Sequence, residues 1–256
     1  MTENKFIKIE NNGQVARITL DRPMHNVLDI PMMNELNTEL EKIAADDELK
    51  CVVFTGKGKS FCAGVEVGDH KPEQVDDMVA NFNKIFELIN MIDIPVIAAV
   101  NGACLGGGME VAIACDIVIA SEKAIFGQPE IKLGFFPPYA AIRLPELVGT
   151  AKAIEILTTG QNYSAEHSKD LGFVSQVAIA DDFEEIVQKQ VKQITMASPL
   201  IIRLNKRAVK RHIGNSFTKS VDLVSDYFLN TLMKTEDTLE GIASFEEKRR
   251  PIWKNK

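Results

Sequence analysis

Two glutamates in the segment Asn101 to Glu130, NGACLGGGMEVAIACDIVIASEKAIFGQPE, have the types of neighbour that proton transfer needs. Between Ala103 and Cys115 the only ionisable groups are Glu110 and two thiols. A carboxylate on so apolar a helix must be paired, exposed or held with a raised pKa. A raised pKa suits acid/base chemistry near neutral pH. Gly106, Gly107 and Gly108 come just before that helix. There, backbone without side chains lets N–H groups at a helix start face an oxygen carrying negative charge, a developing oxyanion being one candidate. Glu130 lies in FGQPEIKLG, where Gly127 and Pro129 mark a turn and Ile131 resumes an apolar, strand-like segment. Taken alone it reads as well as a solvated turn carboxylate. If the two glutamates converge, they can share a water, one removing its proton and the other donating or orienting.

A second tight segment, Ser60-Phe61-Cys62-Ala63-Gly64-Val65-Glu66, follows a strand and carries small residues where a backbone N–H would approach a ligand. It could be an ordinary turn. Together with the glycine triplet it offers two backbone donors from different loops, the requirement of a two-donor oxyanion hole. Neither GxxxxGK[ST] nor a spaced GxGxxG is present, which disfavours nucleotide binding. His25, His70, His167 and His212 show no metal-ligand spacing, and Cys51, Cys62, Cys104 and Cys115 contain no CxxC pair. No metal site is expected, and the thiols read as free and buried.

The elements that must position these residues alternate. Strands are expected over Phe6 to Glu10 and Val15 to Leu20 around the Asn11-Asn12-Gly13 hairpin turn. Asp29 and Pro31 start a helical period through Met32, Leu36, Leu40 and Ile43. Cys51 to Thr55 reads as a buried strand, Gln74 to Met91 as a helix, Pro95 to Val100 as a strand, then the Glu110 helix, then a strand over Ile117 to Ala120. This is an α/β pattern of parallel strands joined by helical crossovers. From about Asp181 only helical periods remain, through Ile186, Val191 and Ile194, then Leu200 to Val209 and Val221 to Met233. The expected division is residues 1–190 as the core with the site and residues 191–256 as a helical C-terminal region. So apolar a tail needs its own core or a neighbouring subunit to cover.

The 256 residues, 45% hydrophobic and 25% charged, describe an ordinary globule, and a net charge of −7 argues against general nucleic-acid binding. Apolar runs such as Ile94 to Val100 are far shorter than the roughly 20 residues of a membrane helix, so no membrane partner is expected. The start MTENKFIKIE has neither a signal h-region nor transit-peptide character, and the expectation is a cytoplasmic protein.

The segments DRPMHNVLD, SFCAGVE, IPVIAAVNGACLGGGMEVAIACDIVIAS, FGQPEIKLG, SAEHSKDLGFVSQV and FEEKRRPIW resemble, in that order, the signature blocks of the crotonase (enoyl-CoA hydratase/isomerase) superfamily across almost the whole chain. The resemblance implies a spiral of ββα units with a helical C-terminal trimerisation region, assembled as homotrimers or homohexamers. It implies an acyl-CoA substrate, an enolate intermediate and no separate cofactor, CoA being part of the substrate. Position by position, Val65 and Gly107 match the residues whose N–H groups hold the thioester oxygen, and Glu110 and Glu130 match the two catalytic glutamates. Met24 and His25 match backbone positions along the pantetheine, Cys62, Ala63 and Gly64 the turn beneath the thioester, and Lys248 a block that approaches the CoA nucleotide of a neighbouring subunit. GFFPPYAAIRLP departs from the glycine-rich stretch usual in straight-chain hydratases. Its Phe135, Phe136, Pro137, Pro138 and Tyr139 could wall an acyl pocket for a ring, or pack in the core. Together with HNVLDIPMMNELN, this stretch resembles the alicyclic dienoyl-CoA hydratases, which hydrate cyclohexa-1,5-diene-1-carbonyl-CoA.

Overall fold

The opening hairpin forms where the Asn-Asn-Gly turn places it. In the computed structural model, which describes residues 4–211, 213–214 and 217–256, β1 (Ile7–Asn11) pairs antiparallel with β2 (Val15–Leu20). Gly13 takes a φ of +83°, and the Asn11 and Asn12 side chains accept backbone N–H bonds from Gly13, Gln14 and Val15. His212 lies outside the described residues. Helix α1 (Ile30–Ala44) is capped by Asp29, which accepts from the Met32 N–H at 3.0 Å, and buries Met32, Met33, Leu36, Leu40 and Ile43.

Three strand pairs follow: β3 (Cys51–Gly56) with β4 (Ser60–Cys62), β5 (Val96–Val100) with β6 (Ala103–Leu105), and β7 (Ile117–Ser121) with β8 (Ile125–Gly127). The first pair leads into α2 (Val75–Met91), the second into α3 (Gly107–Ala114), and the third into α4 (Pro138–Val148) and α5 (Thr150–Thr159). Then come β9 (Asn162–Ser164), α6 (Ala165–Asp170) and β10 (Gln176–Ala178). The first strand of each pair joins a six-stranded sheet of order β1-β2-β3-β5-β7-β10, and the second joins a four-stranded sheet of order β4-β6-β8-β9. Apart from the antiparallel β1 and β9, every pairing is parallel. The chain thus winds as a spiral, each turn adding a strand to both sheets before a helix returns it, which is the expected ββα arrangement.

Side chains alternate across the large sheet. Ile18, Phe54, Ala98 and Val100 face the main core with Leu36, Phe61 and Phe126. Cys51, Val53, Ile97, Ala99 and Ile119 face the other way, under Phe183, Val187 and Val191 of α7 (Phe183–Thr195). A parallel sheet covered on both faces accounts for the nearly unbroken apolar runs of its strands.

The expected division between residues 190 and 191 falls inside α7, whose apolar face belongs to the sheet. Beyond it, α8 (Pro199–Lys210) docks through Lys206, whose ammonium reaches the Ile94 carbonyl at 2.9 Å and Asp116 at 2.5 Å. Helix α9 (Phe217–Asn230) and α10 (Glu236–Glu246) follow, separated by a 3-10 turn over Leu232–Lys234 that ends the helical period expected to run through Met233. The last residues fold back: Asp237, fully buried, accepts from the Lys254 and Asn255 N–H groups at 2.7 and 3.0 Å and from the Ser198 hydroxyl. Trp253 donates its indole N–H to the Met196 carbonyl at 2.8 Å. Among the described residues no helix is long and apolar enough to cross a membrane.

Candidate active site

Gly106 links the small sheet to α3. Its N–H donates to the Gly127 carbonyl at 2.9 Å, and its carbonyl accepts from the Glu110 N–H at 3.0 Å. Its backbone, φ +52° and ψ −130°, is one that residues with a Cβ rarely adopt. A Cβ there would also stand 2.7 Å from Oε1 of Glu130. Gly107 is the first helical residue, where an N–H has no intrahelical partner. A Cβ on Gly107 would meet Cγ2 of Val65 at 2.6 Å and Phe82 at 2.9 Å, so the two loops touch at this point.

Val65 makes an isolated parallel bridge with Leu28. The Leu28 N–H donates to the Gly64 carbonyl at 2.9 Å and the Glu66 N–H to the Leu28 carbonyl at 2.8 Å. In a parallel bridge the central residue's own groups point the opposite way, so the Val65 N–H is directed off this pairing. The two backbone donors expected from sequence, Val65 and Gly107, therefore arise from a strand bridge and a helix start on one wall.

Glu110, in the first turn of α3, is 2% exposed. Its Oε1 accepts the Ala140 N–H at 2.8 Å from the first turn of α4, an end of a helix that favours negative charge. Burial nevertheless outweighs that bond, and with the nearby charge of Glu130 the carboxyl is pushed up to about 7. Glu130 lies on a turn, as expected, but no strand resumes at Ile131. The segment Pro129–Leu133 is a 3-10 turn, begun by Pro129 and stopped by Gly134 at φ +81°, and Ile131 is exposed rather than paired. The turn aims Glu130 inward, where desolvation raises it to about 7 against a hydrogen bond from its own backbone. Gln128, fully buried, satisfies its amide when the nitrogen is assigned to the side facing Glu130, and in that orientation it donates to both carboxylate oxygens at 3.1 Å.

One cavity of about 380 Å³ gathers both glutamates with Ala63, Gly64, Val65, Gly107, Phe135, Phe136 and Pro138. Tyr139 is not on its wall: its ring stacks on Phe86 at 3.9 Å, and Phe86 meets Phe82 edge-on at 4.7 Å. Tyr139 thus takes the packing alternative, bracing α4 where it supports Glu110. Cys62 lies fully buried beneath the turn, its thiol pushed up to about 12 by desolvation, and only its neighbours reach the cavity. Met24 is 86% exposed and His25 is exposed outside the cavity, their loop tied to the turn by the Ala63 N–H, which donates to the His25 carbonyl at 3.0 Å. Lys248 is exposed near the C-terminus and away from the cavity. The four cysteines are free and buried, and among the described residues no three His, Cys, Asp or Glu side chains cluster as metal ligands.

Sequence reasoning missed Gln128 and His70, both polar residues of this site. Gln128 stands two positions before Glu130, but nothing in its type marks it as buried. His70 was read only for metal spacing, yet it lines the cavity against Phe135.

The sequence model of enoyl-CoA hydratase/isomerase matches residues 10–256. A short-chain-enoyl-CoA hydratase of Clostridium acetobutylicum is 34% identical over 94% of this chain and 95% of its own length. The crystal structure of an enoyl-CoA hydratase from Bacillus anthracis superimposes with a TM-score of 0.91 at 32% identity, covering 98% of this chain and 100% of that one. An enoyl-CoA hydratase structure from Mycobacterium smegmatis gives a TM-score of 0.92 at 27% identity over 97% and 99%.

Proposed function

The chain belongs to the enoyl-CoA hydratase/isomerase family, an enzyme of the hydratase type, and from that premise we propose that Glu110 and Glu130 add water across the conjugated double bond of an acyl-CoA. The observation that carries this reading is the pair itself: two carboxyls raised to about 7 on one cavity wall beside two backbone donors. At neutral pH such a pair holds about one proton. In the proposed step the ionised Glu110 takes a proton from water as the water oxygen bonds to the β carbon. The thioester oxygen carries the enolate charge against the Val65 and Gly107 N–H groups. Glu130 gives its proton to the α carbon, so that the product has gained one water. No group beyond the CoA of the substrate is required.

The acyl group we propose is alicyclic, of the cyclohexa-1,5-diene-1-carbonyl type. Phe135, Phe136 and Pro138 support it, since they give the cavity a broad, stiff, apolar side. The name of the Clostridium relative favours the alternative, a straight-chain enoyl-CoA. Product analysis in heavy-oxygen water, with crotonyl-CoA and cyclohexa-1,5-diene-1-carbonyl-CoA in turn, decides between them. One labelled oxygen on the cyclic product alone supports the alicyclic reading, and label on crotonyl-CoA alone supports the straight-chain one. Label on neither replaces hydration with isomerisation or another enolate reaction.

The pantetheine is proposed to run past Met24 and His25 and over Ala63 and Gly64. Lys248 is proposed to meet the CoA nucleotide of a neighbouring subunit in a homotrimer or homohexamer. Exposed Phe228, Leu229, Leu239 and Ile242 on α9 and α10 support such an assembly.

A further inference from the structure

Apart from the two glutamates, the polar side chains lining the cavity are His70 and Asn83. Asn83 is exposed on α2, whereas His70 is partly buried and held on two sides. It closes the 3-10 turn Val67–His70, and its Nδ1 lies 3.0 Å from the carbonyl oxygen of Glu66. Its ring packs on Phe135, centroids 5.0 Å apart and planes at 35°. A carbonyl oxygen only accepts, so Nδ1 carries the hydrogen, and in the neutral ring Nε2 is then an acceptor. With Nδ1 turned back to the backbone, the outer edge of the ring is the part left to the cavity. Among the described residues Nε2 has no partner.

Resting on the acyl-CoA reading of the cavity, we propose that His70 determines acyl specificity: its Nε2 accepts a hydrogen bond from a hydroxyl on the acyl group, beyond the carbons that the glutamates serve. The substrate class is then a hydroxylated enoyl-CoA thioester, in which the ring of the alicyclic reading bears a hydroxyl that cyclohexa-1,5-diene-1-carbonyl-CoA itself lacks. A hydroxyl is the donor that fits, because it is neutral. An ammonium would have to be desolvated against Val67, Leu133 and Phe135, and a carboxylate would offer no proton. A fixed acceptor in an apolar wall discriminates by being left unpaired when the matching donor is missing.

The test is calorimetric binding of hexanoyl-CoA and 6-hydroxyhexanoyl-CoA, saturated thioesters that cannot be hydrated, to the wild type, His70→Phe and His70→Gln. The wild type is expected to bind the hydroxylated thioester about tenfold more tightly. His70→Phe, which keeps a ring against Phe135, should abolish that preference, and His70→Gln, which retains an acceptor, should keep part of it. Equal binding by the wild type, a preference surviving in His70→Phe, or tighter binding of 5-carboxypentanoyl-CoA than of either would overturn the proposal. Hydration of crotonyl-CoA or of cyclohexa-1,5-diene-1-carbonyl-CoA, measured on the same samples, separates the two readings. A binding preference without hydration leaves the His70 assignment standing and removes the hydratase; hydration with equal binding does the reverse. Binding of no acyl-CoA overturns both.

Discussion

A carboxyl that must ionise against burial acts as acid or base near neutral pH and destabilises the fold that holds it. Glu110 is such a group, raised from 4.5 to about 7 although the Ala140 N–H binds it. Because the folded state holds the proton more tightly than the unfolded chain, the cost of ionisation is absent below about pH 4.5. It grows between 4.5 and 7 and is complete above 7. Glu110→Gln is therefore expected to raise stability at pH 8 by up to about 2–3 kcal/mol, with the gain vanishing at pH 4. Urea unfolding at the two pH values checks this, and a variant no more stable at pH 8 than the wild type would contradict it. For the same reason kcat/KM should follow a bell centred near pH 7, since the reaction needs one proton on the pair: it falls in acid as the second carboxyl protonates and in base as the last proton leaves. Gln128 shows what residue types alone hide. Asn, Gln and Ser are ordinary surface residues, and only the packing of the Pro129–Leu133 turn makes this amide a fully buried donor to Glu130.

Elements place these groups through their ends rather than their middles. The first turn of α3 carries Gly107 and Glu110, that of α4 supplies the Ala140 N–H, and a 3-10 turn presents Glu130. Gly106 joins strand β6 to the first of these ends in a conformation that residues with a Cβ rarely adopt, and a Cβ there would stand against Glu130. Gly106→Ala is expected to cost about 1–3 kcal/mol of stability and, by pushing on Glu130, to lower kcat more than it raises KM. Unfolding and steady-state kinetics measure both, and an alanine variant with normal kcat would show that Gly106 does not govern Glu130. Long elements were legible because their signals are additive. Helix α1 follows from its cap and its period, the buried strands β3, β5 and β7 from continuous apolar runs, and α3 from the apolar stretch after the glycine triplet. Strands β4, β6, β8, β9 and β10 were not, since three residues are too few to establish an alternation. The segment after Glu130 misled because Ile131 and Leu133 alternate like a strand, while Pro129 and Gly134 fix a tight turn. Tyr139 was open between wall and core, and the Phe86 stack assigns it to the core.

At the scale of the molecule the spiral puts three loops, one from each turn of the chain, over a single cavity, and the glycine and glutamate segments meet there although they are far apart in sequence. No local pattern announces that convergence; the ordered series of family segments did, because together they specify a topology. The helical end is bound to the same body. Asp237 fastens the final residues to α8 and α10, so Asp237→Ala should strip hydrogen-exchange protection from α10 and the last residues while leaving the large sheet protected. Unchanged protection of α10 would show that the fastening lies elsewhere. The most direct test of the whole account is the hydration rate of the enoyl-CoA substrate by Glu110→Gln, Glu130→Gln and the double variant, with CoA-thioester binding measured on each. The paired-glutamate account predicts that each single change lowers kcat by roughly 10²- to 10⁴-fold with binding retained, and that the double variant is little worse than the slower single one. Either single variant working within tenfold of the wild type would contradict it.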